Sequence, residues 1–524
     1  MKLTIDAIEV EARDGESILD CATRHGIHIP HLCTHPNLPA FGACRMCLVE
    51  IEGMRGYPAS CSTPAQQGMV VHANSEKLAD LRRRILELIL LEHPSACMLC
   101  AKRDLCEQFR PGAMKSGRTS GCHTCNNKDV CEVRGLSQEL RLESLPVAPF
   151  YRNLPLERSD PFIDRDLNLC ILCGRCVRIC KEQHGWATID FVGRGSQTKI
   201  GEAFGRSLVE AGCRFCGSCI DVCPTGTLSD RYAKWHGDPA EETITTCAYC
   251  NEACALAIGV SRHKRAISAK AVNPAVPVCV LGRFAIPEFL NGPERIKEPQ
   301  ARVQQVLRPK RWIEVLAEAG ERLKPYIGDG FALVFDDSIM REDRAALQAF
   351  AGGVMKSERC YEVKTPDRGA PQFAIPEGAK AVYALGPFLD PAALDGVELL
   401  IVQDCYPSPL SAKADFVLPA AVFAETEGSR LDSGGEPRPL HRACQAPGRA
   451  LADWRIVRDL ARAMGAEGFE FESIEALRRL YGIESGQMKI QRGSAPAPAL
   501  DPALRRTHFR GHSIEDKARG LRML

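Results

Sequence analysis

The sequence predicts a mixed α+β chain of several domains. Its 524 residues, 45% of them hydrophobic and 25% charged, are more than one core usually organises. Alternating residues at the start, a helical repeat over 75–91 and two buried strand-like runs, ALVFDDS and ELLIVQDC, place strands and helices in one chain. Cysteines are uneven, because 23 of the 26 lie between Cys21 and Cys279. We therefore expect the cysteine-rich and cysteine-poor halves of the chain to have different functions.

Composition argues against several classes of function. The formal net charge of +1 gives no field for attracting nucleic acid, and the longest apolar run, near Ile85 to Leu91, is far below the roughly 20 residues that span a bilayer. The opening MKLTIDAIEV carries charges where an export signal needs an apolar core, so we expect a cytoplasmic protein. Because a reducing compartment opposes disulfides, clustered thiolates indicate zinc or iron-sulfur ligation.

The first module, residues 1–74, has the pattern of a small sheet packed on one helix. The helix is predicted from Ile18 to His25, with Ser17 as N-cap. Four cysteines with C-x10-C-x2-C-x13-C spacing follow: Cys33, Cys44, Cys47 and Cys61. Four thiolates suffice for one [2Fe-2S] cluster, and Gly42 lets the backbone aim N–H groups at sulfur. A zinc ion is the alternative to the [2Fe-2S] cluster, although zinc sites usually combine two C-x2-C motifs.

This module resembles the [2Fe-2S] domain that begins the large iron-sulfur subunit of NADH dehydrogenase (complex I) and of NAD-linked hydrogenases and formate dehydrogenases. The resemblance implies a ubiquitin-like β-grasp fold for residues 1–74, and it extends over about residues 1–290. Cys21 lies at an apolar position of the predicted helix and is interpreted as a core residue.

Residues 75–145 contain a predicted helix, from Ser75 to Leu91, followed by two sets of closely spaced cysteines. We call each set a comb. The triple arginine 82–84 is expected to face solvent or a partner. The first comb resembles the family's motif for a [4Fe-4S] cluster with one histidine ligand: His93, Cys97, Cys100 and Cys106. The second comb repeats the C-x2-C-x5-C spacing, with Arg118 in the histidine's place: Cys122, Cys125 and Cys131.

The duplicated comb leaves three arrangements open. Two clusters would form if His123 or a residue elsewhere completes the second one. One cluster could stand beside a zinc ion at the second comb. One cluster could also draw its ligands from both combs.

Residues 146–240 carry the strongest signal, two C-x2-C-x2-C-x3-C runs. In the bacterial ferredoxin pattern, the first three cysteines of each run bind one cube and the fourth binds the other. The first predicted quartet is Cys170, Cys173, Cys176 and Cys223. The second predicted quartet is Cys213, Cys216, Cys219 and Cys180. A ferredoxin-like domain with two [4Fe-4S] clusters follows, with Gly174 and Gly217 permitting the tight turns.

Residues 241–290 resemble the [4Fe-4S] domain that opens molybdopterin oxidoreductases. The resemblance rests on a C-x2-C-x3-C-x24-C set: Cys247, Cys250, Cys254 and Cys279. Leu281 stands where that family's motif has a lysine. Residues 291–490 resemble a shortened α/β molybdopterin oxidoreductase domain, too short to enclose a bis-pterin cofactor, so we expect no molybdopterin.

The remaining features carry no recognisable cofactor motif. Cys360, Cys405 and Cys444 each lie alone and are interpreted as core or surface thiols, with a metal-ligating or redox thiolate as the alternative. Residues 491–524 read as a Pro/Ala linker and a basic tail, either disordered or docked along a neighbouring subunit. No G-x-G-x-x-G loop follows a predicted strand, so NAD and flavin should bind another subunit.

These patterns predict an iron-sulfur electron-transfer subunit of an NAD(P)H-linked oxidoreductase complex, without catalytic residues of its own. It would relay electrons between a flavin- and NAD-binding subunit and a further redox subunit, with a small [2Fe-2S] subunit as another partner. We expect one [2Fe-2S] and four or five [4Fe-4S] clusters, with zinc as the alternative at the second comb. The alternative functions are a compact molybdenum or tungsten oxidoreductase and a zinc-knuckled scaffold or nucleic-acid binder.

Overall fold

The computed structural model describes residues 1–102, 105, 108, 121–125, 127–366, 372–375, 377–394, 396–488 and 507–523. They form two compact units. Among the described residues, the first unit contains 1–238 and 273–277, and the second contains 239–272, 278–488 and 507–523. None of the described helices combines the length and the apolar character that crossing a bilayer requires.

A four-stranded sheet with one helix opens the first unit. Across the sheet the strands are Ile8–Glu11, Lys2–Ile5, Val70–His72 and Glu50–Ile51. The helix runs over Ile18–Arg24, and the Ser17 hydroxyl accepts a hydrogen bond from the Asp20 N–H at 3.1 Å. Cys21 is fully buried in the core with Ile5. The predicted helix, its cap and the core role of Cys21 are confirmed.

The rest of the first unit is built from short elements. Its other strands form two antiparallel ribbons, Ile163–Arg165 with Leu228–Asp230 and Asp190–Val192 with Lys199–Gly201. Among the described residues, its other α-helices are Glu76–Leu90, Glu132–Glu139, Arg175–Arg178 and Ser218–Asp221. Most of the cysteines therefore lie in loops and turns, where backbone N–H groups can face sulfur.

The helix Glu76–Leu90 matches the predicted one, but the expectation that Arg82 faces solvent or a partner is wrong. Arg82 is 2% exposed. Its guanidinium donates to the carbonyl oxygens of Met46, Leu48 and Ala73 at 3.1, 2.7 and 2.8 Å. A guanidinium offers five donors in a fixed fork, so one buried side chain can satisfy three carbonyls. The pattern of apolar residues gave no sign of these partners.

A seven-stranded sheet organises the second unit. Its strands, in order across the sheet, are Val306–Pro309, Gln300–Val303, Phe416–Pro419, Leu399–Asp404, Ala381–Leu385, Phe331–Asp336 and Cys360–Val363. The last five run parallel. Leu333 and its neighbour Ala332 enter separate hydrophobic clusters, so both faces of the sheet are covered, as parallel sheets require. The two apolar runs predicted as strands are confirmed.

Smaller elements complete the second unit. Its helices are Ile286–Asn291, Trp312–Leu323, Arg341–Ala349, Pro409–Lys413, Asp453–Ala463, Ile474–Tyr481 and Ile514–Lys517. A three-stranded antiparallel sheet contains Glu241–Thr246, Ala255–Val260 and Ala266–Ala271. Two ribbons are Gly428–Leu431 with Pro437–Leu440 and His508–Phe509 with His512–Ser513.

The strand order places a topological switch point between Phe331–Asp336 and Ala381–Leu385. From Phe331–Asp336 the chain goes to Cys360–Val363 on one side and then returns to Ala381–Leu385 on the other. Open parallel sheets bind ligands at such points, beyond the carboxyl ends of the strands. The edge next to Asp336 and Gly386 is therefore the crevice in which a ligand of this sheet would lie.

A hairpin of the tail, residues 508–513, occupies that crevice. Gly386 has a φ of 110°, and a Cβ there would lie 3.1 Å from the carbonyl oxygen of Arg510. Arg510 donates to the carbonyl oxygen of Ala421 at 2.9 Å, and Phe509 is 2% exposed. The expectation of a disordered tail is wrong for residues 507–523, because they fold onto their own unit.

Candidate iron-sulfur centres

The structure brings together the four cysteines of the first module. They form two thiol pairs, Cys33 with Cys44 and Cys47 with Cys61. The backbone N–H of Cys33 lies 3.4 Å from the Sγ of Cys44. Backbone N–H groups of residues 42 and 43 are directed at Cys61 and Cys33, and Gly42 reaches this conformation with a φ of 70°. Such donors stabilise negative sulfur in a cluster.

The thiol chemistry of this quartet suits a cationic cluster core. The hydrogen bond from Cys44 lowers the pKa of Cys33 to about 5, and the hydrogen bond from Cys47 lowers the pKa of Cys61 to about 6. The same hydrogen bonds raise the pKa of the two donor thiols. Two sulfurs therefore already favour the thiolate form, and iron would hold all four in that form.

The two combs contribute to one four-thiol group. Its members are Cys97 of the first comb and Cys122, Cys125 and Cys131 of the second. A hydrogen bond to Cys97 and burial raise the pKa of Cys122, and the nearby thiols of Cys125 and Cys131 raise it further. The Nδ1 of His123 lies 3.2 Å from the Sγ of Cys97. Of the three open arrangements, this grouping matches the one that uses both combs.

The other comb residues have different surroundings. His93 is 6% exposed, and within the described part of the chain neither ring nitrogen has a hydrogen-bond partner. Burial lowers the pKa of His93 to about 4, so its imidazole is neutral at pH 7 and able to bind a metal. Cys100 is exposed. Cys106 and Arg118 lie outside the described residues.

The ferredoxin runs come together in the crossed grouping. Burial, followed by the thiols of Cys173, Cys170 and Cys223, raises the pKa of Cys176 well above its ordinary value. In the other group, burial raises the pKa of Cys219, followed by Cys216, Cys213 and Cys180 in that order. Each group thus contains three cysteines of one run and the fourth cysteine of the other.

The two runs repeat the same backbone geometry. The N–H of Leu172 lies 3.4 Å from the Sγ of Cys170, and the N–H of Phe215 lies 3.4 Å from the Sγ of Cys213. Both non-glycine residues are left-handed, with φ of 52° and 50°, and the glycines two residues later have φ of 75° and 76°. A left-handed non-glycine residue is strained and persists only where the surrounding structure imposes this conformation. Its repetition therefore indicates two equivalent backbone sites that surround sulfur.

The second comb adjoins the first ferredoxin group. The thiol of Cys131 lies close enough to Cys223 for their charges to interact. The next residue, Glu132, forms a two-point ion pair with Arg175 at 2.6 and 2.7 Å. Arg175 has a side chain only 3% exposed and lies between two cysteines of the first run. The ion pair therefore fixes the comb against the ferredoxin run.

The loop of the first module contacts the ferredoxin runs as well. Leu38, between Cys33 and Cys44, packs in one apolar cluster with Ile179 and Val222. Arg178 donates to the carbonyl oxygen of Pro39, and its guanidinium lies 4.8 Å from the ring centre of Phe41. These direct contacts therefore fix the loop of the first module against the ferredoxin runs.

The second unit contains a further quartet. Burial, followed by the charges of Cys250, Cys254 and Cys279, raises the pKa of Cys247 well above its ordinary value. The N–H of Cys247 donates to the carbonyl oxygen of Cys254 at 2.8 Å, which closes the turn between them. A Cβ on Gly282 would lie 3.7 Å from the Sγ of Cys247, so the chain after Cys279 runs beside the group.

Comparison with known proteins supports iron-sulfur centres in two of these regions. Residues 1–76 match the 2Fe-2S iron-sulfur cluster binding domain, and residues 160–229 match the ferredoxin-like domain of NADH-quinone oxidoreductase subunit 3. Over 63% of its length the chain is 33% identical to a subunit of NADH-quinone oxidoreductase from Rhizobium meliloti, and covers 35% of that protein. Over these ranges the chain is similar to iron-sulfur subunits of NADH-linked oxidoreductases.

Other similarities are to hydrogenase subunits. A subunit of the NADP-reducing hydrogenase of Solidesulfovibrio fructosivorans is 32% identical over 45% of this chain and 37% of that protein. A chain of an NAD+-reducing [NiFe]-hydrogenase is 30% identical, with 44% of this chain and 87% of that chain covered and a TM-score of 0.36. The chain spans about a third of the length of the curated relatives it matches. Residues 361–463 also match the molybdopterin oxidoreductase family.

The tail hairpin that lies next to Gly386 also packs against a group of aromatic rings. Phe509 of the tail hairpin meets Tyr249, Phe289 and Phe423 edge-on, with ring centres 5.2, 5.7 and 5.8 Å apart. Tyr249 belongs to the loop of the cysteine quartet. Leu281 is 5% exposed and cannot offer the charge of the lysine that molybdopterin enzymes have there.

A group that local sequence patterns do not predict lies at the same edge. Cys405 is a buried core thiol, as predicted, and it lies beside Asp404 and His512. The Nε2 of His512 is 2.7 Å from an oxygen of Asp404. These two residues are 108 positions apart, so no local spacing could have joined them. Cys360 and Cys444 belong to no comparable group among the described residues.

Proposed function

We propose that the chain is an electron conduit that relays single electrons among its own clusters, between a flavin subunit and another redox partner. The observation that carries the proposal is a shared core in the first unit. Cys44, Cys122, Cys131 and Ile171 lie in or against one apolar cluster built around Leu90. This core joins the first module, the combs and the ferredoxin run. Since electron tunnelling weakens steeply with distance, closely packed cysteine groups are what a relay requires.

We propose one [2Fe-2S] cluster in residues 1–74 and four [4Fe-4S] clusters in residues 75–290. The quartets of the ferredoxin runs and the Cys247 quartet would hold three cubes, in the domains 146–240 and 241–290. The fourth cube would lie in the domain 75–145, on Cys97, Cys122, Cys125 and Cys131. A fifth cube would have to use the remaining ligands of the first comb, and zinc remains the rival occupant of the second comb.

The protein's own contribution is to set separations and potentials. N–H groups directed at sulfur stabilise reduced clusters, and so does a buried cation next to a ligand. Arg175 supplies such a cation beside Cys173. Catalytic acid or base groups are not needed for electron hopping, because the flavin of a partner would split the hydride of NAD(P)H.

We propose a flavin- and NAD-binding subunit and a small [2Fe-2S] subunit as partners, with a further redox subunit at the other end of the relay. Support comes from relatives named as subunits of NADH-quinone oxidoreductase and NADP-reducing hydrogenase. We also propose a cytoplasmic location, where thiolates stay reduced and available to iron.

The proposal is tested with the native complex, purified without oxygen. Addition of NADH or NADPH should reduce the clusters of this chain when the flavin subunit is present, and leave them oxidised when the flavin subunit has been removed. Reduced [2Fe-2S] and [4Fe-4S] clusters give distinct low-temperature paramagnetic spectra. Clusters that stay oxidised in the flavin-containing complex, while dithionite reduces them, would contradict the relay.

The alternative is a molybdenum or tungsten oxidoreductase, and the match of residues 361–463 favours it. We propose instead that residues 291–490 form a domain without a pterin, since the tail hairpin fills the crevice. About one molybdenum or tungsten per chain, bound with pterin in the purified protein, would establish the alternative.

A further inference from the structure

We propose that Asp404, Cys405 and His512 bind a divalent transition-metal ion, which by their chemistry is zinc. Each residue offers one ligand atom, and the three atoms lie within 4.8 Å of one another. All three residues are buried. Carboxylate oxygen, thiolate sulfur and imidazole nitrogen are the ligands that zinc takes in proteins, and three protein ligands with a fourth open position are a common zinc arrangement.

The distances suit a single ion. Zinc bonds of about 2.0–2.3 Å in a tetrahedral arrangement place the ligand atoms roughly 3.3–3.7 Å apart. The Nε2 of His512 and the Oδ1 of Asp404 are 2.7 Å apart, and the largest separation in the group is within 4.8 Å. The required spacing lies between these values, and binding of one ion would replace the hydrogen bond between His512 and Asp404 with a bond from each residue to the metal.

An unsatisfied atom points to a missing partner. The Oδ2 of Asp404 is buried and has no hydrogen-bond partner among the described residues. A buried carboxylate oxygen without a partner costs free energy, typically about 1–3 kcal/mol or more for a charged group. A hydrogen bond from His512 reaches only Oδ1, whereas an ion bound by the carboxylate would also compensate the charge on Oδ2.

The local charge also suits a divalent ion. Two buried arginines lie nearby, and each has its own carboxylate: Arg295 pairs with Glu425 at 2.7 Å, and Arg510 pairs with Asp453 at 2.7 Å. Within each pair, the positive charge of the arginine and the negative charge of the carboxylate compensate each other. Asp404 and a Cys405 that loses its proton on metal binding would together offer two negative charges, which one divalent cation balances.

The position of the site gives it a structural role. Asp404 and Cys405 end the strand Leu399–Asp404, whereas His512 belongs to the tail hairpin. An ion bound by all three would fasten the hairpin onto the carboxyl edge of the sheet. Metal binding would then stabilise the folded tail, since the ligands come together only in the folded unit.

The test measures zinc in the full-length protein, purified without oxygen and loaded with its clusters. Cys405→Ser and His512→Gln are compared with wild type and with Cys444→Ser, which alters another buried thiol of the same unit. We expect zinc to fall by about one per chain in the first two variants and to stay unchanged in Cys444→Ser. The difference between variants is decisive, because zinc at the second comb would be common to all four proteins.

A second measurement covers the case in which a variant misfolds. The zinc X-ray absorption spectrum of the wild-type protein should contain a centre with one sulfur and two or three nitrogen or oxygen neighbours. Wild type without zinc, even after Zn²⁺ is added, would overturn the proposal, as would zinc with sulfur neighbours alone. Iron content is measured on the same samples, so failure of this site and failure of the relay are distinguishable.

Discussion

The Sγ of Cys97 lies 3.2 Å from the Nδ1 of His123, although 26 positions separate them. This contact brings the start of the first comb to the start of the second. It places Cys97 with Cys122, Cys125 and Cys131, whereas Cys100 stays exposed. The duplicated motif therefore folds as one four-thiol group in the described residues, and a cube there would lie beside the ferredoxin group that contains Cys223.

The first prediction concerns the ligands of that cube. Cys122→Ser should lower the iron content by about four per chain, because a serine oxygen is a poor substitute for thiolate in a [4Fe-4S] cluster. Cys100→Ser is the matched control, with the same substitution in the same stretch, and should keep the wild-type iron content. Iron loss in Cys100→Ser but not in Cys122→Ser would assign the cluster to the first comb.

The second prediction concerns the ion pair of Arg175 and Glu132. Arg175→Met removes a buried cation beside Cys173, so the reduction potential of the nearby cube should fall by an amount on the order of tens of millivolts. Glu132→Gln leaves that cation without its carboxylate and should shift the same potential upward. Redox titration followed by paramagnetic spectra measures both shifts. Shifts of the same sign would show that the charge of Arg175 does not set the potential.

The third prediction concerns Phe509, which is 2% exposed within the aromatic group of the crevice. Phe509→Ala should destabilise the second unit by about 3–5 kcal/mol, because it removes a ring from a packed core. Hydrogen exchange of the strands Phe331–Asp336 and Ala381–Leu385 reports the loss. Ile313→Ala, at a side chain 73% exposed, is the control and should change stability by less than about 0.5 kcal/mol. Equal exchange in the two variants would contradict a tail packed in the crevice.

The fourth prediction concerns pH and His184. Burial lowers the pKa of His184 to about 4, and its ring lies 4.9 Å from that of Trp186. An unfolded histidine titrates near pH 6.5, so between about pH 6.5 and 4 only the unfolded chain takes up this proton. The stability of the first unit should therefore fall as pH falls through that window, by up to about 1.4 kcal/mol per pH unit from this group.

The measurement for His184 is a comparison of variants. His184→Gln has no proton to gain, so the stability difference between wild type and variant should shrink as the pH falls from about 7.5 to 5. Urea unfolding followed by aromatic fluorescence gives this difference at each pH. A stability difference that is independent of pH would show that His184 titrates alike in the folded and unfolded chain.

Local patterns allowed the cysteine groups to be predicted, and distant contacts explain what was missed. The ferredoxin runs and the capped helix at Ser17 are specified within a few residues, so their spacing alone predicts them. Arg82 looked like a surface charge because its carbonyl partners come from other segments. Likewise, the tail residue His512 contacts Asp404, 108 positions away, at the end of a strand of the seven-stranded sheet. Long-range contacts of this kind leave no trace in local spacing.

The most direct test of the relay is the iron and sulfide content of the protein purified without oxygen, combined with paramagnetic spectra after reduction. One [2Fe-2S] and four [4Fe-4S] clusters require about 18 irons per chain, and a fifth cube would raise the value to about 22. We predict at least about 18 irons and the signals of both cluster types. A colourless preparation that contains zinc instead of iron, with no paramagnetic signal on reduction, would contradict the account.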